Sequence, residues 1–219
     1  MGSSGASSAA TAFALAKLFD IGVSETDLLR IAGEGEALVA GAPHYDNVAA
    51  SLFGGVVLID ILKERVYRIR PPTSMYIAIV APRGVATAEK KTGLARSMLP
   101  KTIDFEVHVK QQASLAKLVY ALMSGDIEAL GEAISSDFVV EPHRASLIPY
   151  YYDLKRMALD MGALGFNISG AGPSVFLIHR SCDEARYVGE KLISFLKDKG
   201  LYSDLILTRV SDKGAEVVG

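Results

Sequence analysis

The chain has 219 residues, with 23 Lys and Arg against 25 Asp and Glu and a formal charge of −2. That balance excludes the basic footprint of a nucleic-acid binder and an acidic tail alike. Half of the residues are apolar and 22% are charged, the composition of a folded chain rather than of a disordered segment. The single cysteine, Cys182, excludes an internal disulfide and a Cys-rich zinc site and suits a reducing compartment. No uncharged apolar run reaches the length of about eighteen residues that a spanning helix needs, and no basic stretch precedes an apolar one as in a signal peptide. The expectation is a soluble cytoplasmic protein with no nucleic-acid or membrane partner.

In chain order, the opening Gly2-Ser3-Ser4-Gly5-Ala6-Ser7-Ser8 is a run of tiny side chains that leads into a helix beginning near Ala9 and ending by Phe19. Ser24 then reads as the N-cap of a helix over 25–39, with Asp27 in the capping-box position and Leu28, Leu29, Ile31 and Ala32 facing inward. The stretch 41–47 reads as a polar loop, and 53–59 as a glycine-hinged buried strand. Two further strands fall at 66–69 and 75–80, around the turn Pro71-Pro72-Thr73. A domain boundary is placed there, giving 1–70 and 71–219. Helices follow at about 87–98, 103–124 and 126–135, then a connection over 137–142 and a helix over 146–164. A short strand at 165–168 enters the glycine loop 169–174, and 175–178 continues extended. A helix over 182–199 ends at Gly200, and strands at 205–210 and 215–218 close the chain. Strands and helices in unequal runs argue for an α+β fold in two layers.

Four groups of residues could carry chemistry. The opening Gly/Ser run has the composition of an anion cradle, since glycines let backbone N–H groups approach a phosphate and a following helix presents its positive end. It equally has the composition of a disordered leader. Glu34 and Glu36 precede His44-Tyr45-Asp46-Asn47; a carboxylate near an anion cradle suits Mg²⁺, whereas a solvated helix end followed by an Asx turn explains the same residues structurally. Ser169-Gly170-Ala171-Gly172-Pro173-Ser174 brings backbone close either to a ligand or to another loop. Arg96 and Arg144 could clamp a carboxylate through paired hydrogen bonds, or could simply be solvated.

Taken in order, these pieces resemble the GHMP small-molecule kinase superfamily. The opening run matches the tail of its phosphate motif, normally Pro-x-x-x-Gly-Leu-Gly-Ser-Ser, and the loop 169–174 matches its C-terminal glycine motif. Gly41-Ala42-Pro43-His44-Tyr45-Asp46-Asn47, Phe53-Gly54-Gly55, Thr92-Gly93-Leu94-Ala95-Arg96 and Glu141-Pro142-His143-Arg144 narrow the resemblance to the homoserine kinases, archaeal-type sequences above all. It implies a GHMP-kinase-like fold with an incomplete N-terminal domain and a ferredoxin-like C-terminal domain. It also implies transfer of phosphate from ATP, with Mg²⁺, to the hydroxyl of L-homoserine. Gly2, Ser3, Ser4, Gly5, Ala6 and Ser7 are thereby expected at the ATP phosphates, and Ser4 and Glu36 on Mg²⁺. His44, Asp46, Asn47, Thr92, Arg96 and Arg144 are expected at the substrate, with Asn47 and Asp46 nearest the reaction and the arginines on the carboxylate. The family's N-terminal strands have no counterpart before Met1, so a weakly active chain that associates into a homo-oligomer is expected. Another kinase of the superfamily, acting on a mevalonate-type alcohol, and a catalytically silent binding module are the rival readings.

Overall fold

The computed structural model describes residues 2–40, 43–60, 62–63, 65–72, 74–84 and 88–218, with backbone alone at 39–40 and 88–92. The chain forms two compact units. The first runs to Pro71 and takes up the chain again from Val210, and the second is Pro72–Arg209.

The first unit holds α1 (Ser3–Leu18), α2 (Glu25–Ala40), α3 (Tyr45–Phe53) and the antiparallel strands β1 (Val56–Asp60) and β2 (Arg65–Ile69). Helix α1 starts at Ser3, well before the expected start near Ala9, so the Gly/Ser run is helix and not a loop. The reason is packing: Gly5 and Ala9 are buried, and the Ser8 hydroxyl donates to the Ala32 carbonyl on α2. Tiny side chains let the helices approach closely, which a run of this composition does as well as it makes a leader. In α2 the Ser24 hydroxyl accepts from Asp27 N–H (3.0 Å) and donates to Asp27 Oδ2 (2.7 Å), which fixes the predicted start. Leu29, Ala32, Gly33 and Glu36 form the buried stripe of α2. Ile31 lies off that stripe and is exposed, contrary to expectation.

The expected loop at 45–47 is the first turn of α3, which buries Val48, Ala49, Leu52 and Phe53. The expected strand from Phe53 begins only at Val56, because Gly54 and Gly55 turn with φ of 67° and 70°. The returning C-terminal segment crosses there: Gly55 N–H donates to Ser211 O (2.7 Å) and Ala215 N–H to Leu52 O (3.1 Å). A Cβ on Gly54 would come within 2.5 Å of the Lys213 backbone. That segment pairs with the end of a helix rather than with a strand, so no strand forms at 215–218, and Val217 and Val218 are exposed.

The second unit holds β3 (Tyr76–Pro82), α4 (Ala88–Ser97), α5 (Phe105–Ser124), α6 (Ile127–Ile134), α7 (Val140–Arg144), a 3-10 turn (Ala145–Leu147), α8 (Tyr151–Asp160), β4 (Gly165–Ile168), β5 (Val175–His179), α9 (Cys182–Asp198) and β6 (Ser203–Thr208). All neighbours in its sheet are antiparallel, in the order β4-β5-β3-β6. In the unit's own count this is second-third-first-fourth with helical crossovers, the ferredoxin-like split βαβ arrangement. Helix α9, capped by Ser181, sets Ala185, Val188, Leu192 and Leu196 against the sheet at helical spacing.

Two expectations fail here for local reasons. The helix expected over 146–164 starts only at Tyr151, because Pro149 pushes Ile148 into an extended conformation (φ −115°, ψ 114°). The expected connection over 137–142 gives way at Val140 to the helix α7, whose first N–H groups are capped by Asp137. Its Oδ1 accepts from Val139 and Val140 (2.9 and 2.8 Å) and its Oδ2 from Glu141 (3.1 Å). Pro142 fits because the first turn of a helix has no intrahelical acceptor to lose. Among the described residues no helix is long and apolar enough to cross a membrane.

Candidate functional site

In the first unit the N-terminal ends of α1 and α3 meet. Gly2 precedes α1 in the left-handed conformation (φ 61°), and a Cβ there would lie 3.3 Å from Asn47 Oδ1 on the first turn of α3. Gly5, one turn on, is packed more tightly: its Cβ would stand 3.0 Å from Asn47 Cβ and 3.0 Å from Glu36 Oε2. The first N–H groups of a helix have no acceptor within it, so the turn at Ser3, Ser4 and Gly5 presents donors together with the positive end of the helix. Ala6 N–H is already committed to Gly2 O (3.0 Å), and Ser7 lies inside the helix, where its carbonyl accepts from Thr11 Oγ1 (2.8 Å). The N–H groups left without an acceptor in the helix are thus those of Ser3, Ser4 and Gly5.

Glu36 comes to this point from the buried stripe of α2 and is 2% exposed. Its Oε1 accepts from the Ser4 hydroxyl (3.3 Å) and lies 2.9 Å from His44 Nδ1. Its Oε2 is buried and has no hydrogen-bond partner among the described residues. A buried carboxylate oxygen left bare is costly, and this one is packed against Gly5. Among the described residues no group of three or more His, Cys, Asp and Glu gathers as a metal site. An ion held here relies on one carboxylate, which suits Mg²⁺, an ion that keeps several waters and takes substrate phosphate oxygens. Asp46 is exposed at the start of α3, where its Oδ1 accepts from Asn47 N–H (2.9 Å). Glu34 is exposed on the outer face of α2. Gly41 and Ala42 lie outside the described residues.

In the second unit Arg144 stands at the end of α7. Its Nε donates to Ala95 O on α4 (3.0 Å), and a terminal nitrogen donates to Gly170 O in the glycine loop (3.2 Å). Burial lowers its pKa from the ordinary guanidinium value; Asp137 opposes that shift and the Arg96 charge adds to it. Arg96 is thus a near neighbour of Arg144, exposed on α4 one residue after Ala95. Thr92 lies on the same helix, with its side chain outside the described residues. The glycine loop is closed by Ser169 N–H donating to Ser174 O (2.8 Å), and Gly172 N–H donates to Ser169 O (3.1 Å).

Sequence reasoning missed what lies behind Arg144. Glu141 is buried on α7 and Lys155 Nζ donates to both its carboxylate oxygens (2.7 and 2.7 Å). Burial, with the Glu141 carboxylate beside it, pushes the Tyr151 phenol far up, so it stays protonated. The signal was present: a Glu three residues before the arginine, and a Lys on the inner side of α8. Each reads as an ordinary surface charge until α7 is recognised as a helix.

The family model of the GHMP kinases N terminal domain matches residues 1–55, and that of the GHMP kinases C terminal matches residues 118–198. A homoserine kinase of Chlorobium phaeobacteroides (strain BS1) is 36% identical over 222 residues, which cover 100% of this chain and 68% of that protein. A homoserine kinase of Aeropyrum pernix is 36% identical over 224 residues, covering 100% of this chain and 69% of that protein. The crystal structure of homoserine kinase from Cytophaga hutchinsonii superposes with a TM-score of 0.89 at 35% identity, over 100% of this chain and 68% of that one. A similarity of this extent, running through both units and both family models, makes the chain a kinase of the GHMP superfamily that belongs to its homoserine kinase family.

Proposed function

We propose that the chain transfers the γ-phosphoryl group of ATP to the side-chain hydroxyl of L-homoserine, a step towards threonine. The hydroxyl oxygen bonds to the γ-phosphorus, the bond from that phosphorus to the bridging oxygen breaks, ADP leaves and the hydroxyl proton is released. The observation that carries this reading is Glu36 Oε2, buried and bare beside Gly5 at the start of α1. A helix N-terminus favours phosphate, and a bare carboxylate next to it suits the cation that accompanies phosphate.

In the first unit, the N–H groups of Ser3, Ser4 and Gly5 receive the ATP phosphates, with Gly2, Ala6 and Ser7 completing the turn that aims them. Ser4 and Glu36 hold Mg²⁺. That ion, when bound, neutralises charge on the phosphate oxygens. His44, Asp46 and Asn47 face the amino-acid substrate, with Asn47 nearest the hydroxyl. Asp46 orients rather than deprotonates, since its Oδ1 is engaged by Asn47 N–H. A loose phosphoryl-transfer transition state needs alignment and charge neutralisation more than a strong base. In the second unit, Arg96, Arg144 and Thr92 bind the amino acid, the two guanidinium groups receiving its carboxylate. Free Cys182 supports a reducing, cytoplasmic setting, and β6, which ends its sheet, supports homo-oligomers readable by light scattering.

The test is phosphorus NMR of the protein with Mg²⁺, ATP and L-homoserine, mevalonate serving as the competing alcohol. The expected result is an O-phosphohomoserine signal that grows with ADP. Preferential phosphorylation of mevalonate would overturn the substrate assignment.

A further inference from the structure

We infer that the buried Glu141–Lys155 ion pair is a positioning device for Arg144, setting the angle at which that guanidinium meets the substrate carboxylate; this rests on the reading of Arg144 given above. Helix α7 is only five residues long and carries both Glu141 and Arg144. So short a helix cannot fix its own orientation through backbone bonds. Three polar contacts add to the anchor given by the buried Ala145 and Ile148 that follow it. Asp137 holds its N-terminal N–H groups, as described. Lys155 Nζ, on α8, grips both Glu141 oxygens and also donates to Ser135 O (2.8 Å) just beyond α6. Arg144 itself bridges Ala95 O and Gly170 O.

The order of these contacts gives them a direction. Lys155 ties Glu141 to α8 and to the end of α6, Glu141 places α7, and Arg144 then spans from α7 to α4 and the glycine loop. The side chains of Glu141 and Lys155 are 6% and 16% exposed. Apolar residues of similar volume commonly fill such a place without loss of stability. One ammonium held 2.7 Å from both oxygens, and tied also to Ser135 O, fixes where the carboxylate sits. A small rotation of α7 is magnified at the tip of an arginine, and a carboxylate clamp is sensitive to misplacement by about an ångström.

The experiment compares L-homoserine with 3-aminopropan-1-ol, which has the amine and the hydroxyl but no carboxylate. For the protein and for Glu141→Gln, Lys155→Met, Arg144→Ala and Glu141→Gln/Arg144→Ala, the preference is the ratio of kcat/KM for the two alcohols. In Glu141→Gln and in Lys155→Met the preference for homoserine is expected to fall roughly tenfold or more, with KM for ATP unchanged. In the Arg144→Ala background, Glu141→Gln is expected to cause no further fall. Loss of kcat/KM on both alcohols alike would mark the pair as merely structural and overturn the inference. Should a single variant fail to fold, the double variant Glu141→Met/Lys155→Met leaves no charge buried alone and is expected to fold and to show the same loss of preference. Hydrogen exchange of the free protein reads the pair without any substrate. Glu141→Gln is expected to raise exchange at 169–174, where Arg144 holds Gly170, and unchanged exchange there overturns the inference. If the unaltered protein does not phosphorylate homoserine, the substrate reading fails, and exchange at 169–174 still decides the positioning role.

Discussion

Glu36 stands on the stripe of α2 that also buries Leu29 and Ala32, where its neighbours along the helix are apolar or small. A buried oxygen without a partner is a cost kept for another reason. Glu36→Gln is therefore expected to hold or slightly raise the melting temperature while raising the Mg²⁺ needed for half-maximal turnover on the order of 10–100-fold. Calorimetry and turnover against Mg²⁺ concentration read the two effects, and near-normal turnover at low Mg²⁺ would make Glu36 a helix residue only. Gly5→Ala weighs two opposed effects. Helix propensity favours Ala by about 1 kcal/mol, but the new methyl would meet Asn47 Cβ and Glu36 Oε2 at 3.0 Å each, an overpacking that costs about 1–3 kcal/mol. Asn47 Cβ is fixed to its own helix, so the clash is expected to win. A urea midpoint above that of the unaltered protein would show that α3 yields. In the sequence Glu36 is legible only together with Glu34, as a carboxylate before His44-Tyr45-Asp46-Asn47, and the choice between the two comes from the family resemblance. The bare oxygen of Glu36 is not legible there, since burial depends on how α1 and α3 close over α2.

At the scale of elements, period and caps were legible where the deciding residues are neighbours in sequence. The start of α2 follows from Ser24 and Asp27, and the end of α9 from Gly200. The misread elements are those in which a distant partner decides. Helix α1 reaches back to Ser3 because α2 and α3 need a surface of small residues, and 215–218 forms no strand because it meets the end of α3. Pro149 is the exception, a local breaker overlooked inside a good helical pattern. The same logic of distant partners yields a prediction for α6. Its Gly131 lies against the backbone of β4's approach, where a Cβ would come within 2.0 Å of Leu164 O, and a Cβ on Gly165 would come within 2.6 Å of Gly131 O. Backbone cannot step aside as a side chain can. Gly131→Ala should cost about 3 kcal/mol or more, far above any gain in helix propensity. Urea unfolding checks this, and a loss under about 1 kcal/mol would mean that α6 lifts from β4 freely.

At the scale of the whole molecule, the buried apolar side chains among the described residues gather in two cores, one within each unit. One gathers Ala9, Leu29, Ala32, Val48, Ala49, Leu52 and Phe53. The other is built on the sheet and includes Phe166, Leu177, Leu192 and Leu196. The backbone passes between the units at Pro71–Pro72 and at Arg209–Val210. The Pro-Pro step has a local signature, whereas the return at Val210 has none, because nothing near it in sequence records that Gly54 and Gly55 will receive the chain. Cores that share few covalent crossings are expected to melt as separate cooperative units. Calorimetry should therefore resolve two transitions. Leu52→Ala and Leu192→Ala each remove a buried leucine, at 5% and 0% exposure, and each should cost about 2–5 kcal/mol. Leu52→Ala should lower one transition by roughly 10 °C or more and Leu192→Ala the other, each leaving its counterpart within a degree or so. Addition of Mg²⁺ and ATP should raise the transition that Leu52→Ala lowers, since binding to a folded unit stabilises that unit by mass action. A single transition lowered equally by both substitutions would show one cooperative body, and would place the energetic coupling of the two cores above the stability of either.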